Sequence, residues 1–128
     1  MASESEFARM LQAEQSAEAQ RALAMDQMRG GGGLLSFEVD GTGLDARRLA
    51  ESLHLFNLAP SLGGVQSLVT LPVLTSHAMI LPEQREKMGV TDQLVRLAVG
   101  IENVDDLIAD LEQALNVISS TRQHAEVR

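Results

Sequence analysis

The chain has no cysteine, no tryptophan and no tyrosine, and Lys87 is the single lysine among its ten basic residues. Each absence removes a class of chemistry. Without cysteine there is no disulfide, no thiolate nucleophile and no cysteine-ligated metal. With aromatic residues at 2% of 128 positions, a core has to be assembled from Leu, Val, Ile, Ala and Met. Positive charge is also scarce: the net charge is -8, against the basic footprint that a nucleic acid or an anionic membrane surface selects. The three histidines, His54, His77 and His124, are too far apart for metal-ligand spacing, so no metal site is expected. The opening residues, MASESEFARM, are polar and acidic rather than signal-like. No apolar run approaches the roughly 20 residues of a membrane span. The expectation is a soluble, cytoplasmic protein whose length suffices for one modest core.

What is present falls into three stretches. Residues 1–29 predict an N-terminal helix: positions 4–28 are rich in Ala, Glu, Gln and Met and lack Gly and Pro, with Ser3 and Glu6 spaced as a capping box. Its larger apolar residues, Phe7, Met10, Leu11, Leu23 and Met28, are sparse, so this helix is expected to lean on something else. Residues 30–118 predict the main domain, and 119–128 a polar tail that frays. Within the main domain, Leu35, Phe37 and Val39 alternate with polar residues at strand period. LDARRLAESLHLF returns to helical spacing, with Asp45 near the cap and Leu49 and Leu53 inward. VQSLVTL reads as a strand, PVLTSHAMI as a loop, and LPEQREKMG as a short helix opened by Pro82 and closed by Gly89. Leu94 to Val99 is a further strand. Asn103 then caps a helix with Leu107, Ile108, Leu111 and Leu115 on one face. The economical solution is an α+β domain, one small sheet covered by helices.

Most candidate chemistry has a plain structural explanation. The Gly30 to Gly33 run lacks a following Lys-Ser/Thr and leads into a strand, so it is a turn rather than a phosphate cradle. Glu102, Asp105, Asp106 and Asp110 surround the start of the last helix and are expected to be solvated charges complementing its dipole. SLGG, Ser61 to Gly64, is either a tight turn or a place where backbone approaches a ligand. No pattern supplies Ser61 with a base, so it is not a nucleophile. Arg96 is the unusual residue. It interrupts the apolar strand LVRLAV, sharing a face with Leu94 and Ala98 while Val95, Leu97 and Val99 face the core. A permanently charged guanidinium there either pairs with a neighbouring carboxylate or offers its fork to the carboxylate of a ligand.

Taken together, LLSFEV, LHLFNLAPSLGGVQSLVTLP, TSHA and GVTDQLVRLAVGIENVDDLIADLEQAL resemble the C-terminal domain of the Cys/Met metabolism pyridoxal-phosphate enzymes, over about residues 20–116. That family includes the cystathionine synthases and lyases and methionine gamma-lyase. The resemblance implies the small C-terminal domain of the aspartate-aminotransferase-like fold, with a short, mainly antiparallel sheet flanked by helices. It implies that Arg96 binds the α-carboxylate of an amino-acid substrate and that Ser61 stands beside it, with Pro60, Leu62, Gly63 and His77 as possible lining. Some relatives carry Glu where Pro60 stands, so an apolar or small distal substrate group is implied here. Gln66 and Leu71 also depart from the family pattern.

Pyridoxal phosphate is the implied cofactor, but the family's cofactor lysine, phosphate-binding residues, ring-stacking Tyr and pyridine-nitrogen Asp belong to a large domain outside these motifs. Lys87 falls in the variable PEQREK segment, so covalent attachment of the cofactor to this chain is not expected. The expected function is therefore the substrate-carboxylate-binding part of a transsulfuration lyase or transferase, split or truncated. It would depend on a cofactor-bearing large domain or subunit, in an oligomer, and be inactive alone. The alternative is a non-catalytic interaction or oligomerisation protein derived from that domain. A free-standing enzyme built on His77 with Asp or Ser has little to support it.

Overall fold

The computed structural model of the chain describes residues 17–126, with side chains through residue 121. It divides into two compact units, one ending at Gly32 and one starting at Gly33. In the first, residues 17–27 form helix α1, and the Met28 N–H donates to the Ala24 carbonyl at 2.8 Å. Leu23, Met25 and Met28 remain exposed. The Ser3–Glu6 capping box and Phe7, Met10 and Leu11 lie outside the described residues.

The second unit runs β1 (Leu34–Glu38), α2 (Gly43–Ser52), β2 (Asn57–Leu58), β3 (Leu68–Thr70), a 3-10 turn at Pro72–Leu74, α3 (Pro82–Lys87), β4 (Leu94–Ala98) and α4 (Val104–Glu126). The sheet order is β1-β4-β3-β2. β4 is antiparallel to both β1 and β3, while β2 is parallel to β3. The sheet is therefore mixed, and the unit is a small α+β domain. β2 was absent from the sequence reading because two residues carry no periodicity.

Binary patterning accounts for the layers. Val95 and Leu97 of β4 and Val69 of β3 point to one face and are fully buried against Ala46, Leu49 and Ala50 of α2 and Leu107, Ala114 and Ile118 of α4. α2 starts where expected. Thr42 accepts from the Asp45 N–H, and the Asp45 carboxylate receives the Thr42 N–H at 2.9 Å, a reciprocal box that satisfies helix-start donors. Asn103 Oδ1 likewise receives the Asp105 N–H at 2.8 Å at the start of α4. Pro82 opens α3, and Gly89 follows it with φ +74, a conformation that side chains with a Cβ resist.

Several expectations need correction. In α4 the buried line is Leu107, Asp110, Ala114 and Ile118, whereas Ile108 and Leu115 are exposed. The buried face is rotated from the stripe of Leu107, Ile108, Leu111 and Leu115 because Asp110 turns inward. Val99 lies beyond the strand and is exposed, its N–H donating to the Gly33 carbonyl. Leu35 is 46% exposed, because β1 is an edge strand and only Phe37 near its end, with Val39 just beyond it, reaches the core. Residues 119–126, read as a fraying tail, continue α4.

Candidate functional site

The face of the sheet opposite the core carries the chemistry. β4 lies between β1 and β3, and its register sets Arg96 directly opposite Ser36 on one side and Thr70 on the other. Directly opposed residues in antiparallel strands share a face. Arg96 is thus held at the centre of a polar row, half-buried, by strands whose other face anchors them in the core. Thr70 is buried, its hydroxyl 3.1 Å from that of Thr75, which in turn donates to the Leu71 carbonyl.

No carboxylate pairs with Arg96 among the described residues. Its Nη2 instead donates to the carbonyls of Pro60 and Ser61, at 2.9 and 3.2 Å. Its Nε is buried and has no hydrogen-bond partner among the described residues. Of the two alternatives open in the sequence, an internal ion pair is therefore not what this arginine forms among the described residues. The geometry has a further consequence. A guanidinium grips a carboxylate in bidentate fashion through Nη1 with Nη2 or through Nε with Nη2, so Nη2 belongs to both edges. The carbonyls of the 60–61 segment sit on the nitrogen that either grip requires.

Two acidic residues expected to be solvated are instead structural partners. Glu102 Oε1 receives the Ser67 N–H and Oε2 the Ser67 hydroxyl, both at 2.7 Å. Ser67 Oγ accepts in turn from the Gly100 N–H at 2.8 Å. The backbone N–H of Ser67, then its hydroxyl, hold the Glu102 carboxyl below its ordinary pKa. Asp110, 6% exposed, receives the N–H groups of His54 and Leu55 at the exit from α2 and the side-chain amide of Gln113. Its burial opposes ionisation, but these hydrogen bonds outweigh that cost and its pKa is lowered.

Of the candidate residues, Pro60, Ser61 and Arg96 come together. The Ser61 hydroxyl points to no described partner; its carbonyl is what meets Arg96. Leu62 and Gly63 continue the same exposed loop, with φ +75 at Gly63 making the turn. His77 is half-buried, its Nδ1 2.7 Å from Ser76 Oγ and its N–H on the Pro72 carbonyl; neither contact involves Arg96. Sequence reasoning missed the Glu102–Ser67 clamp. The only local signal was the Gly100-Ile101-Glu102 turn after β4, which does not name its partner.

Fold and site together define a small α+β domain that carries, on the sheet face away from the core, an arginine with no ion-pair partner among the described residues. Residues 4–116 match the model of the Cys/Met metabolism PLP-dependent enzymes. The chain belongs to this family. It is 46% identical over 97 residues to a cystathionine gamma-lyase of Dictyostelium discoideum, covering 76% of this chain and 25% of that protein. With a cystathionine gamma-synthase of Escherichia coli it shares 47% over 90 residues, 70% of this chain and 23% of the relative. A Campylobacter jejuni protein described as an O-acetylhomoserine (thiol)-lyase, solved with N'-pyridoxyl-lysine-5'-monophosphate, superposes with a TM-score of 0.63. Identity to it is 45%, over 66% of this chain and 20% of that one. The chain thus spans about a quarter of the length of the curated relatives it matches.

Pyridoxal phosphate attaches covalently through a lysine. Lys87, the single lysine, is exposed in the last turn of α3 and makes no side-chain hydrogen bond to a described residue. No other side chain of this sequence could form that bond. No helix among the described residues is long and apolar enough to cross a membrane.

Proposed function

We propose that this chain is the C-terminal, substrate-carboxylate-binding part of a pyridoxal-phosphate-dependent sulfur amino-acid lyase or transferase, with the cofactor carried by a large domain or subunit. The observation that carries the reading is Arg96, held by interior strand β4 on the face away from the core, with no ion-pair partner among the described residues, against the Pro60–Ser61 carbonyls. In this role Arg96 receives the α-carboxylate of an amino acid and fixes its orientation. The Ser61 hydroxyl stands ready as a further donor, and Pro60 offers no charge to the substrate's far end. When bound by its own domain, the cofactor supplies the electron sink for carbon–sulfur chemistry; this chain supplies grip and orientation.

The test is complementation. The chain is mixed with the cofactor-bearing large domain of a homologous lyase and pyridoxal phosphate, and elimination from L-cystathionine is followed. Activity is expected with the parent chain. Arg96→Ala should lose about 3 kcal/mol of binding to the reacting state, on the order of 100-fold in kcat/KM. Failure of every large-domain partner to gain activity sinks the reading.

A second reading, a non-catalytic interaction protein, is favoured by the exposed apolar side chains of Leu34, Leu62, Val65 and Ile101, the last 82% exposed. In that case Arg96→Ala leaves partner binding intact.

A further inference from the structure

The carboxylate reading assigns Arg96 a task, and the structure identifies what aims it. We infer that Glu102 is a positioning residue for the Arg96 site: by clamping Ser67 to the end of β4 it fixes the 60–66 loop whose carbonyls set the orientation of the guanidinium. This inference rests on the proposed function for its substrate class, but its structural core does not.

The chain of contacts is continuous. The loop leaves the sheet at Ala59, whose N–H donates to the Val69 carbonyl, and returns at Val65, whose carbonyl accepts the Ile101 N–H, both at 3.0 Å. Immediately beyond, fully buried Ser67 is gripped through both its N–H and its hydroxyl by Glu102, while Gly100 donates to that same hydroxyl. Gly100 leaves no slack. A Cβ there would collide with the Val65 carbonyl oxygen and come within 2.7 Å of Gln66 C and Glu102 Oε2. Its φ is not positive, so the requirement for glycine is purely one of space. The returning limb of the loop therefore lies directly on the turn after β4, four hydrogen bonds fix it there, and the outgoing limb places the Pro60 and Ser61 carbonyls on Arg96 Nη2.

Because Nη2 belongs to both bidentate edges, a shift of these carbonyls changes which edge a carboxylate can reach. Glu102 touches neither Arg96 nor the proposed substrate position. Its influence passes through Ser67 and the loop.

The experiment is nitrogen-15 NMR of the arginine Nε–H signals in the 128-residue chain, with the Arg96 signal identified by its loss in Arg96→Lys. L-Methionine is the carboxylate probe and L-methioninol, with the carboxylate replaced by a hydroxymethyl group, the control. In the parent chain the Arg96 signal should respond to L-methionine and not to L-methioninol. Glu102→Ala should move the free-state Arg96 signal and weaken L-methionine binding by about fivefold or more, under conditions where the variant remains folded. Glu102→Gln should restore both, since its amide oxygen accepts from the Ser67 N–H while its NH2 donates to Ser67 Oγ.

A merely structural role predicts lower stability with Arg96 signal and affinity unchanged, and that result overturns the inference. Should Glu102→Ala not fold, Ser67→Ala removes one arm of the clamp and retains the backbone arm; an unmoved Arg96 signal there is equally fatal. No L-methionine response in the parent chain refutes the carboxylate reading instead, and the free-state signal still decides the role of Glu102.

Discussion

Asp110→Ala should be among the more damaging single substitutions in this chain, although a carboxylate on a helix looks dispensable. Asp110 faces inward from α4, and its two oxygens receive the His54 N–H at 2.9 and 3.1 Å and the Leu55 N–H at 2.8 Å. Gln113, one turn on, donates to both Asp110 Oδ1 and the Ser52 carbonyl, so the pair closes the end of α2 on two sides. Hydrogen bonds to a charged acceptor contribute about 1.5–3 kcal/mol each, and stranding a donor costs about 1–3 kcal/mol. Two backbone donors lose their acceptor, and solvent reaching exposed Leu55 trims the penalty. The net expectation is about 3 kcal/mol, a fall of roughly 12 °C in Tm for a domain of this size. Thermal unfolding followed by circular dichroism at pH 7 measures it, with exposed Asp105→Ala as the control, expected within about 1 kcal/mol of the parent. A melting temperature for Asp110→Ala within 2 °C or so of the parent would show that the α2–α4 closure does not depend on this carboxylate.

Acid should act through the same contacts. The Asp110 and Glu102 pKa values are lowered in the fold, so their contribution is fully present above the unfolded-state values near pH 4 and is lost as pH falls through the folded values. A denaturant midpoint that stays constant from pH 6 to pH 2 would contradict this. Leu97→Ala removes a fully buried side chain between α2 and β3 neighbours and should cost about 2–5 kcal/mol by chemical denaturation; a change under 1 kcal/mol would mean that the core had collapsed around the gap.

Much of the domain was readable locally. Leu49 follows the helical period and is buried, whereas Leu53, placed on the same period, is buried as the extended residue that ends α2. Asn103 is the cap its spacing indicates, and Asp45, placed near the start of α2, pairs there with Thr42, each partner within three residues. Arg96 stood out because a charge among apolar strand residues demands an explanation. The misreadings share a cause. Asp110 and Glu102 were assigned to solvent because acidic residues near a helix start ordinarily are solvated, yet their partners, His54 and Ser67, lie 56 and 35 residues away.

Residue type and spacing alone determined the α+β class, the core-facing Val95 and Leu97 of β4 and the presence of an arginine on its other face, because side-chain period and capping are properties of neighbouring residues. Only the tertiary structure decided that this arginine meets the Pro60 and Ser61 carbonyls rather than any described carboxylate, and that Glu102 and Asp110 brace distant loops. Those pairings arise when the sheet and helices close and bring together segments that no local pattern connects.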